Sequence, residues 1–259
     1  MNDALYIGAT GMAAQQKAVD VVSNNIANVN TTGYKKDRVS FQDLMYRTVV
    51  PKNVLDSVGA AGDRFGTGVA VAGIGKAFSP GELKSTGNAL DVAINGQGFL
   101  EVIMPDGNTA YTRAGTLEVT SDGLLAVTGG LPLKQMLHIP PDAQNLKIGP
   151  DGVMKVTVPN TTTPIEIGKL DLSLFTNPVG LNPIGSNLYL ATERSGEVIA
   201  ARPGESGAGL FAQGFTESSN VSLVEEIVNL MLAQRAYEVN SKVIQAADEM
   251  MGMSNNLRR

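Results

Sequence analysis

The chain has 259 residues, a formal net charge of −5 and a pI near 5.0. This length predicts about two domains, and the acidic balance argues against a general nucleic-acid binder, which needs clustered Lys and Arg. Cysteine is absent, which excludes disulfides and cysteine metal sites. No apolar run is long enough for a membrane span. The first residues have neither the basic start nor the apolar stretch of a cleaved secretory signal, so we expect none.

The N-terminal part, to about residue 28, has the pattern of a helix. Its apolar positions recur in alternating steps of three and four, the spacing of a coiled-coil seam. Only Asp3, Lys17 and Asp20 carry charge, so this helix lacks a face suited to water. We therefore assign its seam to assembly. The apolar seam positions are Leu5, Met12, Val19, Val22 and Val29.

The middle of the chain has the pattern of β structure. Residues 51–75 are rich in Gly, Ala and Val without a clear period, and we interpret them as an extended, ordered arm. Asp-Gly pairs at Asp106, Asp122 and Asp151 each lie between runs of strand formers, which is typical of β-hairpins. An antiparallel sandwich or barrel is expected. The candidate strands are residues 99–104, 116–120, 124–127, 153–158, 165–172 and 187–191.

A second long helix is predicted after Gly214, beginning near Ser222 and running to about Met253. Two neighbouring apolar lines follow it, and together they are wide enough to contact two neighbours at once. The first line has the seam spacing and comprises Leu232, Ala236, Val239, Val243, Ala246, Met250 and Met253. The second line recurs every seven residues and comprises Leu223, Leu230, Tyr237, Ile244 and Met251.

These patterns predict an α+β fold. The N- and C-terminal helices are expected to pair as a coiled-coil-like domain around an all-β, antiparallel, hairpin-rich middle region. We expect a terminal helical assembly domain of residues 1–45 plus 218–259, and a connecting β or extended region of residues 46–90 plus 191–217. Residues 91–190 would form an all-β outer domain.

No catalytic or metal-binding constellation emerges from the sequence, so we expect no enzyme activity and no cofactor. His138 is the sole histidine, between apolar residues and a proline turn, and a structural role is favoured. The glycine-rich stretches 66–68 and 73–75 lack the βαβ context and the Lys-Ser/Thr pair of a phosphate loop. The basic cluster from Lys35 to Arg38 is interpreted as a solvated surface.

Residues 25–34 carry a specific order of residue types: Asn, aliphatic, Ala, Asn, two free positions, Thr, one free position, Gly and aromatic. This order resembles the N-terminal signature of the bacterial flagellar rod and hook proteins. The resemblance assigns the signature positions to assembly: Asn25, Ile26, Ala27, Asn28, Thr31, Gly33 and Tyr34.

The resemblance continues in order along the chain and is closest to the distal-rod branch of the family. Residues 46–68 resemble a rod-type segment that hook proteins lack, although the exact order of their residues matches no fixed motif. The other matching segments are residues 86–99, 111–115, 217–221, 225–230 and 234–242.

The resemblance implies a structural, self-assembling subunit of the rigid helical drive shaft that transmits torque to the hook. It implies that the chain is exported without a cleaved signal and lies where the rod crosses the periplasm. The implied partners are further copies of the chain, proximal rod subunits, the hook subunit, the peptidoglycan-layer and outer-membrane ring proteins and the flagellar export apparatus. No catalysis and no nucleic acid are implied.

Three alternatives remain open at this point. The chain could be a proximal rod or hook subunit of the same family. The β region could instead be a module that binds or cleaves the cell wall, although paired carboxylates and exposed aromatic residues are scarce in the sequence. A tail-tube-like protein or secreted adhesin would assemble without flagellar partners.

Overall fold

The computed structural model of the protein describes residues 2–49, 63–159 and 163–256. Its chain divides into two compact units, each built from segments that are distant in sequence. The helical unit comprises the described residues within the ranges 1–27, 37–75 and 222–259. The β unit comprises residues 28–36 and 76–221. The three-domain division expected from the sequence remains a prediction.

Both predicted helices are confirmed, and with the β-rich middle they make the fold α+β. Helix α1 spans Asn2–Ala27 and helix α2 spans Leu223–Asn256. Helix α1 ends among asparagines, which compete for backbone hydrogen bonds, and Gly33 follows with a φ of 71°. At 34 residues, α2 is about 51 Å long.

The two helices pack against each other in antiparallel orientation within the helical unit. Gly8 of α1 lies against Ile244 of α2, and Gly11 lies against Asn240. A Cβ on Gly8 would lie 2.7 Å from Ile244 Cγ1, and one on Gly11 would lie 2.8 Å from Asn240 Nδ2. The two glycines therefore permit the close approach of the helices near the start of α1.

The helical unit also contains short strands, among them part of the expected arm. Its strands are β1 (Asp37–Asp43), β2 (Tyr46–Val49), β3 (Asp63–Gly66) and β4 (Val69–Lys76). Strand β1 pairs with β4, and β2 pairs antiparallel with β3. Residues 63–75 of the arm are thus mostly paired strand, while residues 50–62 lie outside the described part of the chain.

The β unit is built from short strands punctuated by Gly and Pro. Its strands are β5 (Leu83–Ser85), β6 (Val92–Asn95), β7 (Leu100–Ile103), β8 (Thr109–Thr112), β9 (Leu117–Val119), β10 (Leu125–Val127), β11 (Leu131–Pro132), β12 (Gln144–Ile148), β13 (Val153–Thr157), β14 (Ile165–Lys169), β15 (Leu172–Phe175), β16 (Asn182–Gly185), β17 (Leu188–Leu190), β18 (Val198–Ala201), β19 (Leu210–Gln213) and β20 (Phe215–Glu217).

All three Asp-Gly hairpins are confirmed. They connect the antiparallel pairs β7–β8, β9–β10 and β12–β13. The turn glycines Gly107, Gly123 and Gly152 have φ values of 82°, 76° and 78°, a region that residues with a Cβ rarely adopt. The single strand expected over 165–172 is wrong, because β14 and β15 belong to different sheets and Leu170 between them is buried.

Pairs that are distant in sequence connect the local hairpins. They are β5–β20, β6–β19, β8–β17 and β15–β18, all antiparallel. The described strands of the β unit form six sheets of two to four strands rather than the two sheets of a sandwich or one closed barrel. Each of these strands has two to five residues, shorter than the usual strand of about five to six residues or at its lower limit.

The β unit has an aliphatic core and a separate aromatic cluster. The aromatic cluster contains Phe78, Phe99, Tyr111, Phe175 and Tyr189, whose neighbouring rings meet edge to face at centroid distances of 4.8–6.1 Å. The cluster contains five of the thirteen aromatic residues of the chain. The aliphatic core is formed by Val92, Ile94, Leu100, Val102, Leu117, Leu125, Val127, Leu133, Leu137, Ile148, Met154, Leu170, Leu172 and Leu188, together with Ala110 and Phe211.

The substitution Gly8→Leu should separate the two helices locally, because its side chain would overlap Ile244. We expect the free energy of unfolding of the helical unit to fall by about 1–3 kcal/mol, the usual cost of overpacking. Urea unfolding followed by circular dichroism at 222 nm measures this change.

Gly252→Leu is the matched control, because no described atom beyond the adjacent backbone of α2 lies within 4 Å of the Cβ position at Gly252. Replacing a helical glycine there should be neutral or stabilising by up to about 1 kcal/mol. Equal unfolding curves for the Gly8→Leu variant and the unmodified protein would contradict the close packing.

Candidate assembly surface

Helix α2 presents two different faces. The face toward α1 contains Glu226, Leu230, Ala233, Asn240, Ile244, Ala247 and Met251, all buried or half-buried. Three residues of the second sequence line, Leu230, Ile244 and Met251, lie on this face, whereas Leu223 and Tyr237 at its edge are exposed. Most of the second line therefore packs inside the subunit.

The first sequence line lies on the opposite side of α2 and is largely exposed. Leu232 is 63% exposed, Val239 58% and Met253 59%. Val243, Ala246 and Met250 are also exposed, and Ala236 is half-buried. We call the exposed part of this line, together with Val224 and Val228, the α2 stripe.

Val224 and Val228 extend the stripe toward the start of α2, although neither residue belongs to the two apolar lines predicted from the sequence. Val224 is 74% exposed and Val228 is 44% exposed. Continuing the first line backward from Leu232 in steps of four would have found both residues, because steps of three or four stay on one helical face. Contiguous apolar surface of this kind marks an interaction site in a soluble protein.

The seam residues of α1 are more enclosed than those of α2. Leu5, Met12 and Val19 are half-buried and Val22 is buried. Val29 lies two residues beyond the end of α1, so it is not part of a helical seam. A groove of about 410 Å³ separates the helices on one side and is lined by Gln16, Val19, Gln234, Tyr237 and Glu238.

The first signature residue, Asn25, joins three pieces of the helical unit. It is 1% exposed. Its Nδ2 donates to the Asp37 carbonyl oxygen at 2.9 Å and to Glu226 Oε2 at 3.1 Å, and its Oδ1 accepts from the Asp37 amide at 2.8 Å. Asn25 thus connects the end of α1 to the start of β1 and the first turn of α2. Beside it, Ile26 is half-buried and Ala27 is exposed.

The later signature residues form a turn inside the β unit. The Thr31 hydroxyl donates to Asn28 Oδ1 at 3.1 Å, and the Gly33 amide donates to the Glu217 carbonyl oxygen at 2.8 Å. A Cβ on Gly33 would lie 3.1 Å from Ala114 Cα, so glycine is needed for space as well as for conformation. Tyr34 is buried. These contacts are within the subunit, and the assembly role of the signature remains a prediction.

Lys35 follows the signature and is completely buried, so the interpretation of residues 35–38 as a solvated surface is wrong at this position. Its Nζ donates to Glu217 Oε1 at 2.7 Å and to the Ser79 carbonyl oxygen at 2.8 Å. Glu217 also accepts from Arg113 Nε at 2.9 Å and from the Gly81 amide at 2.8 Å. A buried ion cluster of two cations and one carboxylate results.

The rest of the Arg113 guanidinium is satisfied by backbone carbonyls. Its Nη atoms donate to the carbonyl oxygens of Ile94, Gly96 and Gly98 at 2.9–3.3 Å. Lys35, Arg113 and Glu217 come from, or directly adjoin, three separate segments that carry the family resemblance. The cluster brings these distant positions of the chain together in the interior.

Burial alone would raise the pKa of Glu217, but the charges of Arg113 and Lys35 and the hydrogen bonds from both hold this pKa below its ordinary value. Burial and the charge of Arg113 lower the pKa of Lys35, and the charge of Glu217 opposes them only in part. The carboxylate therefore stabilises two cations that are costly to bury.

Among the described residues, no group of three or more His, Asp or Glu side chains could hold a metal ion. Neither α1 nor α2 has the long apolar stretch that crossing a membrane requires. His138 is exposed and forms an isolated bridge with Leu124.

Three family descriptions match the chain in order. Residues 5–35 match the flagella basal body rod protein family, residues 93–156 match the flagellar hook protein FlgE/F/G D1 domain, and residues 212–257 match the flagellar basal body rod FlgEFG protein C-terminal region. The matched regions cover α1 with the signature, part of the β unit and α2.

Full-length relatives are also similar to the chain. The flagellar basal-body rod protein FlgG of Buchnera aphidicola subsp. Schizaphis graminum is 44% identical over 97% of this chain and 98% of its own length. In Caulobacter vibrioides, FlgG is 40% identical (98% of this chain, 99% of its own length), whereas FlgF is 32% identical (96% and 95%). The chain therefore belongs to the family of flagellar basal-body rod proteins, and within it to the FlgG members.

Proposed function

We propose that the chain is a structural, self-assembling subunit of the distal rod, and that it builds part of the helical shaft that transmits torque to the hook. The observation that carries this proposal is the α2 stripe, an apolar face turned away from α1. Membership among the FlgG rod proteins supports the distal position, with a proximal rod or hook position as the alternative.

The stripe would be covered by helices of neighbouring copies in coiled-coil-like packing. Burying one Val, Leu or Met side chain contributes about 1.5–3 kcal/mol, so the exposed stripe residues together can offset the entropy lost on docking. Two different surfaces that meet without closing a ring generate an open helical array. The α1 seam and the signature residues would take part in, or support, this packing.

The position in the cell and the partners follow from the same proposal. The shaft would cross the periplasm, meet proximal rod subunits at one end and the hook subunit at the other, and turn inside the peptidoglycan-layer and outer-membrane ring proteins. Residues 91–190 would form the outer part of the subunit. The chain would reach the tip of the shaft through the flagellar export apparatus without a cleaved signal. It would carry no catalytic activity.

The substitution Val239→Asp should abolish polymerisation, because it would place a carboxylate in the apolar contact at the centre of the stripe. Val239 is 58% exposed in the subunit, so the fold should be retained. Electron microscopy of concentrated protein measures filament formation, and circular dichroism checks the fold.

Gln245→Asp is the control, because Gln245 is exposed on α2 about 120° away from the stripe by helical geometry. It adds the same charge about 1.7 turns further along the helix, and it should leave filaments intact. Filaments of normal length from the Val239→Asp variant would eliminate the stripe as the assembly surface.

A distal position predicts that immobilised chain retains both the hook subunit and proximal rod subunits. Each contact joins the end of one segment of the shaft to the next, so the two partners should bind independently. Pull-down with each purified partner, followed by gel analysis, measures retention. Retention of proximal subunits without the hook subunit would favour a proximal position instead.

A further inference from the structure

The buried ion cluster joins segments that contribute no residue to the aliphatic core. Strand β5 pairs with β20, which ends at Glu217, and residues 28–36 reach the same strand through the Gly33 amide. The carboxylate of Glu217 adds the bonds to Lys35 and Gly81. We call residues 28–36, 79–85 and 215–220 the closing segments.

The aliphatic core has its own support. Strands β7 and β8 form a hairpin that pairs with β17, and β6 pairs with β19. Arg113 keeps three carbonyl partners even without the carboxylate. Within the described part of the chain, the Lys35 amine would keep one hydrogen bond, to the Ser79 carbonyl oxygen. Neutralising Glu217 would therefore leave the Lys35 amine as a buried cation without a counterion.

We propose that Glu217 is an acid-released latch: protonation of this carboxylate frees the closing segments of the β unit while the aliphatic core stays folded. The device works because a single carboxylate accepts hydrogen bonds from three chain segments. An unpaired buried ammonium is unstable in the interior, and the segment that carries it can leave for solvent without disturbing the core strands.

The other ionisable groups near the latch do not replace the carboxylate. Lys76 directs its amine over the Tyr34 ring at 4.3 Å and donates to the Lys35 carbonyl oxygen. Glu82 and Lys84, next to and within β5, are exposed. Only Lys35 and Arg113 form ion pairs with Glu217 among the described residues.

The direction of the pH effect follows from the depressed pKa of Glu217. In the unfolded or released segment this carboxyl has an ordinary pKa of about 4.3. The stabilisation is complete above that value and is lost as the pH falls through the lower pKa of the folded state. Release is therefore an acid event, and the latch is closed at neutral pH.

Hydrogen exchange of the full chain, followed by mass spectrometry at neutral and at acid pH, tests the latch. After correction for the intrinsic pH dependence of exchange, amides of the closing segments should lose protection by about ten-fold or more in acid, because local opening sets their exchange. Amides of β7 and β8 should stay protected. Simultaneous loss of protection in the closing segments and in β7 and β8 would overturn the proposal.

Variants separate the latch from general acid unfolding. Glu217→Gln should open the closing segments at neutral pH and abolish their pH dependence. Glu101→Gln is the matched control, because Glu101 is also buried but pairs with the exposed Lys134 at 2.7 Å. In the Glu101→Gln variant, protection of the closing segments should depend on pH as it does in the unmodified protein. Wild-type protection of the closing segments in Glu217→Gln at neutral pH would refute the latch.

A second variant keeps the test decisive if Glu217→Gln fails to fold. Lys35→Met removes the buried amine and leaves Arg113 and Glu217 as a balanced pair. Acid should then release the closing segments much less than in the unmodified protein, since protonated Glu217 no longer leaves an orphaned lysine. An unchanged acid response in Lys35→Met would contradict the mechanism.

Discussion

Each of the two units is completed by contacts between residues from opposite ends of the chain. The rest of the structure depends on these long-range contacts. Asn25 binds Glu226 across 201 positions, and Lys35 binds Glu217 across 182 positions. The entropy of closing such long loops must be recovered by burial. Local hairpins can form early, whereas these contacts complete each unit only when both ends are present.

Helix α2 illustrates how one element can serve the subunit and leave a surface available. Its face toward α1 combines small residues such as Ala233 and Ala247 with larger ones such as Ile244, which lies against Gly8 of α1. Its other face carries exposed aliphatic side chains such as Leu232 and Val239. A helix that is apolar on both sides is normally buried on both sides, which is the basis for assigning the stripe to neighbouring copies.

Local patterns in the sequence were enough to predict both helices, the three Asp-Gly hairpins and the α+β class. They were not enough for pairs such as β5–β20, because strand partners far apart in sequence leave no local signal. Lys35 was misassigned for the same reason, since its counterion lies 182 positions away and its neighbours are charged. The two apolar lines of α2 were found, but which line faces α1 depends on Gly8 and Gly11, whose packing role only the structure reveals.

The α2 stripe has almost no formal charge along its centre, and this composition has a consequence for how copies attract one another. Contacts through aliphatic side chains are hardly screened by dissolved ions, and they weaken on cooling because apolar hydration governs them. Without long-range steering, productive encounters are limited by orientation. Growth of a filament through this surface would thus respond to subunit concentration and temperature far more than to ionic strength.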